Sequence, residues 1–417
     1  MKYRIFWMRS CVAGLLASAS GFPGLSMALT LEQAIELAER EAPSLVAQAA
    51  NQQAARSAAI PAGALPDPKL RLGVQNLPIE GESRGELGAE AMTMQAIGVT
   101  QEVPSRAKRR ARIDAANAEV ALADTQQNLT LLQVRQQTAE AWIAALAVER
   151  KLALFAQLYQ ENDLFAKAIK ARFTGGKGQS ADILLPRQEA ITLADREDLL
   201  HRDKAGARAE LRRWIGDAAY QSLEGDWPEW PQNADEYRQN LVQHPELQIF
   251  KPLSRQAEAE VAEAVADKTP DWGWGLAYQR RGREFGDMVS LSVTMDLPVF
   301  AGSRQNPRIA AERARMAKVQ SDRDSALRLL ESELVNDLAE YQRLSKGLAR
   351  VEQDLLPLAE ERVQLTMADY RAGGGELVAV IRARQELVET RLRRIDLVRN
   401  RALIYARLHF AFGGFQP

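Results

Sequence analysis

Beyond Cys11 the chain has no cysteine. Cys11 lies in an N-terminal segment that carries Lys2, Arg4 and Arg9, then a mostly apolar run from Cys11 to Leu25, then Ser26-Met27-Ala28. That order predicts a secretory signal peptide over residues 1–28, cleaved after Ala28. The processed chain would be free of cysteine, which excludes disulfides and thiolate metal sites. Met8-Arg9-Ser10 is polar and no lipobox, so Cys11 is not taken as a lipid attachment site; an unrecognised anchor is the alternative. Histidine is scarce too: His201, His244 and His409 are far apart with no ligand-like spacing, so core or solvated histidines are expected and no metal site or cofactor. After the signal no run of about 18 apolar residues remains, which excludes a spanning helix and leaves a soluble protein or a β-barrel. Neither sign of charge is in excess, with 54 basic and 55 acidic residues, so nothing points to nucleic acid. There is no nucleophile–base set, ligand cluster or phosphate loop to suggest an enzyme.

What the chain has is a long internal repeat. Phe173-Thr174-Gly175-Gly176-Lys177-Gly178-Gln179 lines up with Tyr370-Arg371-Ala372-Gly373-Gly374-Gly375-Glu376, and Arg187-Gln188-Glu189 with Arg384-Gln385-Glu386, at an offset of 197 that runs without a gap to Gly216 and Gly413. Upstream, Val99 to Arg106 faces Val293 to Arg304 with Phe300-Ala301-Gly302 inserted, Pro43-Ser44-Leu45 matches Pro245-Glu246-Leu247, and Pro66-Asp67 matches Pro270-Asp271. Such a period is far longer than a solenoid unit. The expected division is a first repeat over 29–216, a linker over 217–232, a second repeat over 233–413 and a tail over 414–417.

Each repeat opens with an Ala-rich helix, roughly Thr30 to Ala62 and Asn233 to Lys268, the first with Thr30 and Gln33 as a capping box. Period-two alternation follows. Leu70, Leu72 and Val74 oppose Lys69, Arg71, Gly73 and Gln75, and Trp272, Trp274, Leu276 and Tyr278 oppose Asp271, Gly273, Gly275, Ala277 and Gln279. The chain returns through a second strand in each repeat, so four strands are expected at about 69–77, 91–103, 270–279 and 288–298, long enough to cross a tilted bilayer path. The inward face would carry Lys69, Arg71, Gln75, Asp271, Gln279, Ser290, Ser292 and Thr294.

From Ser105 to Thr174 there is no glycine or proline, so a helix can run for about 100 Å. Leu131, Val134, Thr138, Ala141, Ala145, Val148, Leu152, Phe155, Tyr159, Asn162, Ala166, Ile169 and Phe173 form a seam of period 3.5, the mark of coiled-coil packing. Ser303 to Ala372 shows the same stepping at Leu344, Leu348, Val351, Leu355 and Leu358, with Pro357 expected to kink or offset it. Shorter helices return over Ala181 to Ile215 and Leu377 to Phe412. Four strands cannot close a barrel, and an open edge in hydrocarbon leaves backbone groups unpaired at several kcal/mol each. The chain is therefore expected to oligomerise around a polar lumen.

The duplicated arrangement, the Pro-Asp entries to the hairpins, the Val99 to Arg106 junction and the two Gly-rich turns resemble the TolC-type outer membrane efflux channels over essentially the whole processed chain. The run Gly73-Val74-Gln75-Asn76-Leu77-Pro78 and the segment Pro104 to Arg110 are most similar to the cobalt-zinc-cadmium resistance (CzcC-like) branch. The resemblance implies a mainly α protein with a membrane β-barrel: a homotrimer with a twelve-stranded barrel in outer membrane lipid above a long periplasmic coiled-coil α-helical barrel. It implies a passive exit duct, in the heavy-metal branch for metal cations, that works with a periplasmic adaptor protein and an inner-membrane pump of RND type. The alternative is a soluble periplasmic coiled-coil scaffold or adaptor, against which the outward row Trp272, Trp274, Leu276 and Tyr278 argues. The resemblance places Gly175, Gly176, Gly178, Ser180, Gly373, Gly374 and Gly375 at an adaptor-docking tip, where glycine supplies positive φ and close approach; merely ending helices is the plainer role. It places Asp182 in a pore constriction, with Glu376 and Arg382 as second-repeat candidates because Ala379 stands at the position equivalent to Asp182. Asp182 could equally be a helix-start charge. Trp272, Trp274 and Tyr278 would form a membrane aromatic girdle. Trp227 and Trp230 would cover the linker; Met92, Met94, Met288 and Met295 would pack in the barrel or face lipid, with soft-metal handling as the alternative; and the cluster Arg106, Lys108, Arg109, Arg110 and Arg112 would be a solvated helix face, with contact to lipid headgroups as the alternative.

Overall fold

The computed structural model describes residues 28–176, 178–230 and 233–413. The expected signal peptide and the C-terminal tail lie outside the described residues, apart from Ala28. In chain order the elements are α1 (Leu31–Glu41), α2 (Pro43–Ala59), β1 (Lys69–Gln75), β2 (Met94–Val103), α3 (Arg106–Thr174), α4 (Leu185–Ile215), α5 (Ala234–Asn240), α6 (Pro245–Gln248), α7 (Phe250–Ala266), β3 (Trp272–Arg280), β4 (Met288–Met295), α8 (Gln305–Arg350), α9 (Leu356–Ala372) and α10 (Leu377–Phe412).

Prolines divide the opening helices that the sequence pattern joined. The capping box at Thr30 and Gln33 starts α1, but Pro43 forces Ala42 to an extended ψ of 119° and restarts the chain as α2. Pro245 and His244 do the same between α5 and α7. Proline also shapes the second long helix. Five residues, Val351–Leu355, form a π turn between α8 and α9, and Leu356 donates to the Val351 carbonyl. Pro357 has no N–H and its ring would strike the Gln353 carbonyl in a regular helix, which the widened turn avoids. The seam changes face there. Leu344, Leu348 and Val351 are buried, whereas Leu355 and Leu358 are 42% and 60% exposed, because an extra residue rotates the apolar stripe by about 100°. The expected seam position at Phe173 is likewise exposed, at the end of α3.

Helix α3 is the centre of the molecule. It packs on α1, α2, α4, α7 and α10, while α10 packs on α8 and α9. Its seam buries Val134, Thr138, Ala141, Ala145, Phe155, Asn162 and Ile169, and a second face buries Leu132, Ala139, Trp142, Ile143, Leu146, Leu158 and Phe165. Trp142 anchors the main cluster, which joins α1, α3, α4 and α10, and its Nε1 donates to the Leu29 carbonyl at 3.1 Å. The linker is held on this cluster: Leu29 bridges Leu223, and Trp230 stacks on His409 at 4.6 Å between ring centroids.

The four strands make one antiparallel sheet in the order β1-β2-β3-β4. β2 and β3 pair across the two halves, from Gln95 opposite Arg280 to Val103 opposite Trp272. β1 and β4 each have a partner on one side only. Below the sheet the helices keep the same order, α2, α3, α7, α8, and nearer the turns the order is α4, α3, α10, α9. Sheet and helical layer therefore end in open edges on the same two sides.

Candidate functional site

Register places every strand residue on one of two faces. One face carries Leu70, Leu72 and Val74, then Ile97, Val99 and Val103, then Trp272, Trp274, Leu276 and Tyr278, then Val289, Leu291, Val293 and Met295. All but Val103 belong to the large apolar residues left exposed, Leu291 at 74% and Trp272, Trp274 and Tyr278 at 45%, 39% and 44%. The apolar surface crosses all four strands in the rows of Leu70 and Leu72, with Gln95 and Gln101 of β2 on the same face to either side of them, and is far beyond the scattered apolar residues of an ordinary surface.

The other face is polar and narrow. Lys69, Thr100, Gly275 and Ser292 form one cross-strand row, and Arg71, Gly98, Ala277 and Ser290 the next. Lys69 pairs with Glu102 at 2.6 Å, and Ser290 Oγ donates to Gln279 Oε1 at 3.0 Å. Small residues fill the middle for a steric reason. A Cβ on Gly275 would stand 2.8 Å from Ser292 Oγ, and one on Gly273 2.9 Å from Thr294 Oγ1. Glycine at these positions relieves the crowding between neighbouring strands.

Asp271 does not join that face. Its carboxylate accepts from Ser105 N at 2.8 Å and from Lys108 Nζ at 2.6 Å, and Lys108 also reaches Asp267 at 2.9 Å. Arg308 pairs with Asp267, and Arg112 with Glu263 at 2.8 Å. Burial works against the Lys108 charge, but the hydrogen bonds to Asp271 and Asp267 outweigh it and raise the ammonium's pKa. The expected solvated basic face is thus partly an ionic lock: Lys108 is 13% exposed and ties α3 to the end of α7 and the start of β3. Both partners are charged residues of ordinary surface type, and only their meeting across 163 positions makes them a junction.

At the opposite end the two turns have matching backbones. Gly176 and Gly373, equivalent at the offset of 197, both have positive φ, 71° and 91°. Gly175 does not, with φ −78° and ψ 7°, so the reversal rests on its neighbour. Gly178 and Gly375 are also equivalent, and a Cβ on either would meet the backbone of Phe173 or Tyr370, at 3.4 and 3.0 Å. Gly374 faces open space, and Ser180 is an exposed residue at the start of a short 3-10 turn, Ser180–Leu184. Beneath the turns Phe165, Ile169, Tyr370, Leu377 and Val380 form a small core. Arg172 lies over the Tyr370 ring at 4.1 Å. Burial raises the Tyr370 pKa, and the Asp182 charge adds to it.

The three expected pore residues sit near these turns without bonding one another among the described residues. Asp182 accepts from Gln179 N at 3.2 Å and so closes a capping box, the geometry of a helix-start charge; the Tyr370 hydroxyl stands 3.5 Å from its Oδ2. Glu376 occupies the N-cap of α10 with no side-chain bond to it. Arg382 is exposed on α10. Sequence reasoning missed a buried pair just above them, Glu189 of α4 with Arg384 of α10 at 3.3 Å, the guanidinium also lying 4.7 Å from the Phe165 ring centre. The matched Arg-Gln-Glu triplets were the available signal. Among the described residues no three His, Asp or Glu converge to hold a metal, and no helix is long and apolar enough to cross a membrane.

Residues 237–414 match the outer membrane efflux protein family. No curated protein matches the chain by sequence. Solved structures match over nearly its whole length. The outer membrane protein VceC from Vibrio cholerae shares 18% identity at a TM-score of 0.76, covering 92% of this chain and 96% of its own. A membrane protein from Pseudomonas aeruginosa shares 17% at 0.77, covering 92% and 93%. CusC, described in terms of transmembrane channel formation, shares 15% at 0.78, covering 92% of each. The fold of this chain is thus that of the TolC-like channels.

Proposed function

We propose that this protein is the outer-membrane duct of a tripartite efflux assembly: a homotrimer whose twelve strands close a barrel and whose helices carry the conduit into the periplasm. The observation that carries the reading is the sheet. It joins a continuous exposed apolar face to a polar face and leaves two unpaired edges. A soluble scaffold would have no use for such a face, and in hydrocarbon the edges must be paired by other copies, because each unsatisfied backbone group there costs several kcal/mol. The family match over the second half and the fold of the matched channels support the same reading.

The duct is passive and enzymatic chemistry has no part in it. Trp272, Trp274 and Tyr278 would sit at the membrane interface, where amphipathic rings bridge lipid and water. The tip at Gly176 and Gly373 would take the hairpins of a periplasmic adaptor, which links the duct to an inner-membrane pump of RND type. Asp182, with Glu376 and Arg382, would set the charge of the constriction, since rings of like side chains govern ion passage. The Gly73 to Pro78 run and the Pro104 to Arg110 segment favour metal cations as cargo.

The deciding experiment is fractionation. The protein should sediment with the outer membrane and migrate as a trimer in mild detergent; recovery as a soluble monomer in periplasmic extract would overturn the reading. Growth of a deletion strain on zinc, cobalt and cadmium salts against a panel of antibiotics tests the cargo separately.

A further inference from the structure

The apolar face of the sheet carries a single charged strand residue. Register puts Arg280 on that face, in line with Trp272, Trp274, Leu276 and Tyr278, and sets it opposite Gln95 of β2. The other charged strand residues, Lys69, Arg71 and Glu102, belong to the polar face. An arginine on a lipid-facing strand is costly at the bilayer midplane and nearly free at the interface, so the depth of Arg280 decides what it can do. From Trp272 to Arg280 the strand runs nine residues, about 27 Å along its axis and roughly 20 Å of depth at a tilt of about 40°. With Trp272 at one border of an apolar band about 25 Å tall, the Arg280 Cα stands within about 5 Å of the other border, a gap its side chain spans by reaching outward. That border is where lipid headgroups carry their phosphates.

The donors there are free. Arg280 and Gln95 are both exposed, and neither the guanidinium nor the amide has a hydrogen bond or ion pair among the described residues. Asp287 is close enough to feel the Arg280 charge, but its oxygens are taken: the Tyr278 hydroxyl donates to Oδ2 and Arg281 N to Oδ1 at 3.3 Å. A guanidinium fork matches two oxygens of a phosphate, and an amide beside it adds a further donor. Arg283, in the turn above, is exposed as well. The first hairpin offers nothing similar. Its loop carries Glu80, Glu82, Glu86 and Glu90 against Arg84 alone, which repels a phosphate and confines the site to the rim of β2 and β3.

We propose that Arg280 and Gln95 form a lipid-phosphate site on the outer rim of the barrel, one per chain, that holds a phosphorylated glycolipid of the outer leaflet. The helices leave the sheet at the Trp272 end, so Arg280 marks the end turned away from the periplasm. Arg280 donates to two phosphate oxygens and Gln95 to the third, while the apolar row beneath, Leu72, Ile97 and Tyr278, lies against the acyl chains. The bound lipid bridges β2 and β3, the pair of strands that joins the two halves of the chain. This rests on the outer-membrane barrel proposed above and names a lipid that it takes.

The test is a lipid titration of the full chain, purified from outer membranes in mild detergent and followed by native mass spectrometry. Lipid A should bind to one copy per chain. Arg280→Gln should weaken that binding by about tenfold, Gln95→Leu by less, and Arg280→Lys should fall between Arg280→Gln and the unsubstituted protein. Arg304→Gln, which removes a cation at the opposite end of the sheet, should change nothing. Lipid A stripped of its phosphates should bind the unsubstituted protein no better than Arg280→Gln binds lipid A. That arm uses no variant, so the test stands even if a substitution prevents assembly. Inorganic phosphate in large excess should leave the lipid bound; full displacement would make this a site for free anions and overturn the lipid assignment. Equal binding of lipid A by unsubstituted, Arg280→Gln and Gln95→Leu trimers would overturn the site and leave the duct standing. Recovery of the chain only as a soluble monomer would overturn both.

Discussion

Helix α3 runs 69 residues without a break and buries two faces, whereas its counterpart is divided into 46 residues of α8 and 17 of α9 and leaves Leu355, Leu358 and Leu365 exposed. The difference follows from position. α3 has neighbours on both sides and needs an uninterrupted pattern of small and apolar residues on each. α8 and α9 lie at an edge of the chain, where in the proposed trimer one side is met only when another copy arrives. A single sequence period is visible in both helices, yet it means core in one and, in the proposed trimer, assembly surface in the other.

Trp142→Ala and Leu358→Ala break that comparison most sharply. Trp142 is 1% exposed, so truncation should leave a cavity and remove one of the two hydrogen bonds to the Leu29 carbonyl, the other coming from Glu224 N at 3.3 Å, at a cost of about 3–5 kcal/mol to the folded chain. Leu358→Ala removes a surface side chain from the single chain, which should change its stability by less than about 0.5 kcal/mol. In the assembled protein it should instead weaken the trimer. Apparent Tm by circular dichroism and the heating temperature at which trimer bands disappear separate the two effects; a large fall in folded-chain stability for Leu358→Ala would place that residue in a core.

The start of the helix after each Pro43-like proline differs in another way. Ala42 provides no side-chain cap to α2, whereas the equivalent His244 accepts from Glu246 N through Nδ1 at 3.2 Å and is 4% exposed. Burial pushes its imidazole down to about 4. Free histidine titrates near 6.5, so between those values the unfolded chain binds the extra proton. The stabilisation from neutral His244 is therefore complete above pH 6.5 and lost as pH falls toward 4. Glu246, raised by burial and by Glu333, acts in the opposite direction, since a raised carboxyl favours the fold at low pH. His244→Asn keeps a cap acceptor without the titration, so its apparent Tm should fall less between pH 6.5 and 4 than that of the unsubstituted protein. Parallel profiles would remove His244 as the source of acid sensitivity.

The layout was legible because period and punctuation carry it: alternation marked the strands, freedom from glycine and proline marked α3, and the Gly-rich runs marked the turns. Prolines at 43, 245 and 357 were visible, but their result depends on what surrounds them; Pro357 yields a π turn because the helix must continue to the tip. The junction was hidden for a different reason. Lys108 and Asp271 are unremarkable alone, and no local pattern says that a lysine in the first turn of α3 meets an aspartate at the foot of β3. The Glu189–Arg384 pair was half visible, as a repeated triplet whose partner choice only packing decides. Asp182 shows the limit from the other side: its position was legible, and its bond to Gln179 N fits a helix start as well as a pore.

The smallest expected effects lie where the two halves agree. Gly176 and Gly373 both hold positive φ, a region that costs an L residue about 1–2 kcal/mol, so Gly176→Ala and Gly373→Ala should each weaken their turn by about 1 kcal/mol. Gly374 has open space at its Cβ position and its φ is not positive. Alanine there should be neutral or stabilise slightly, by about 0.4–1 kcal/mol, through the unfolded chain. Gly375 separates space from conformation: it needs no positive φ, but an added Cβ would lie 3.0 Å from Tyr370 N and 3.1 Å from the Asp369 carbonyl carbon. Both turns are at the end of the molecule, where local opening precedes global unfolding, so amide hydrogen exchange across residues 165–185 and 365–385 is the proper measurement rather than Tm. Faster exchange for the alanine variants at 176, 373 and 375, with exchange unchanged or slower for the variant at 374, is the expected pattern. Equal exchange at 373 and 374 would show that the left-handed glycine is not what holds the turn.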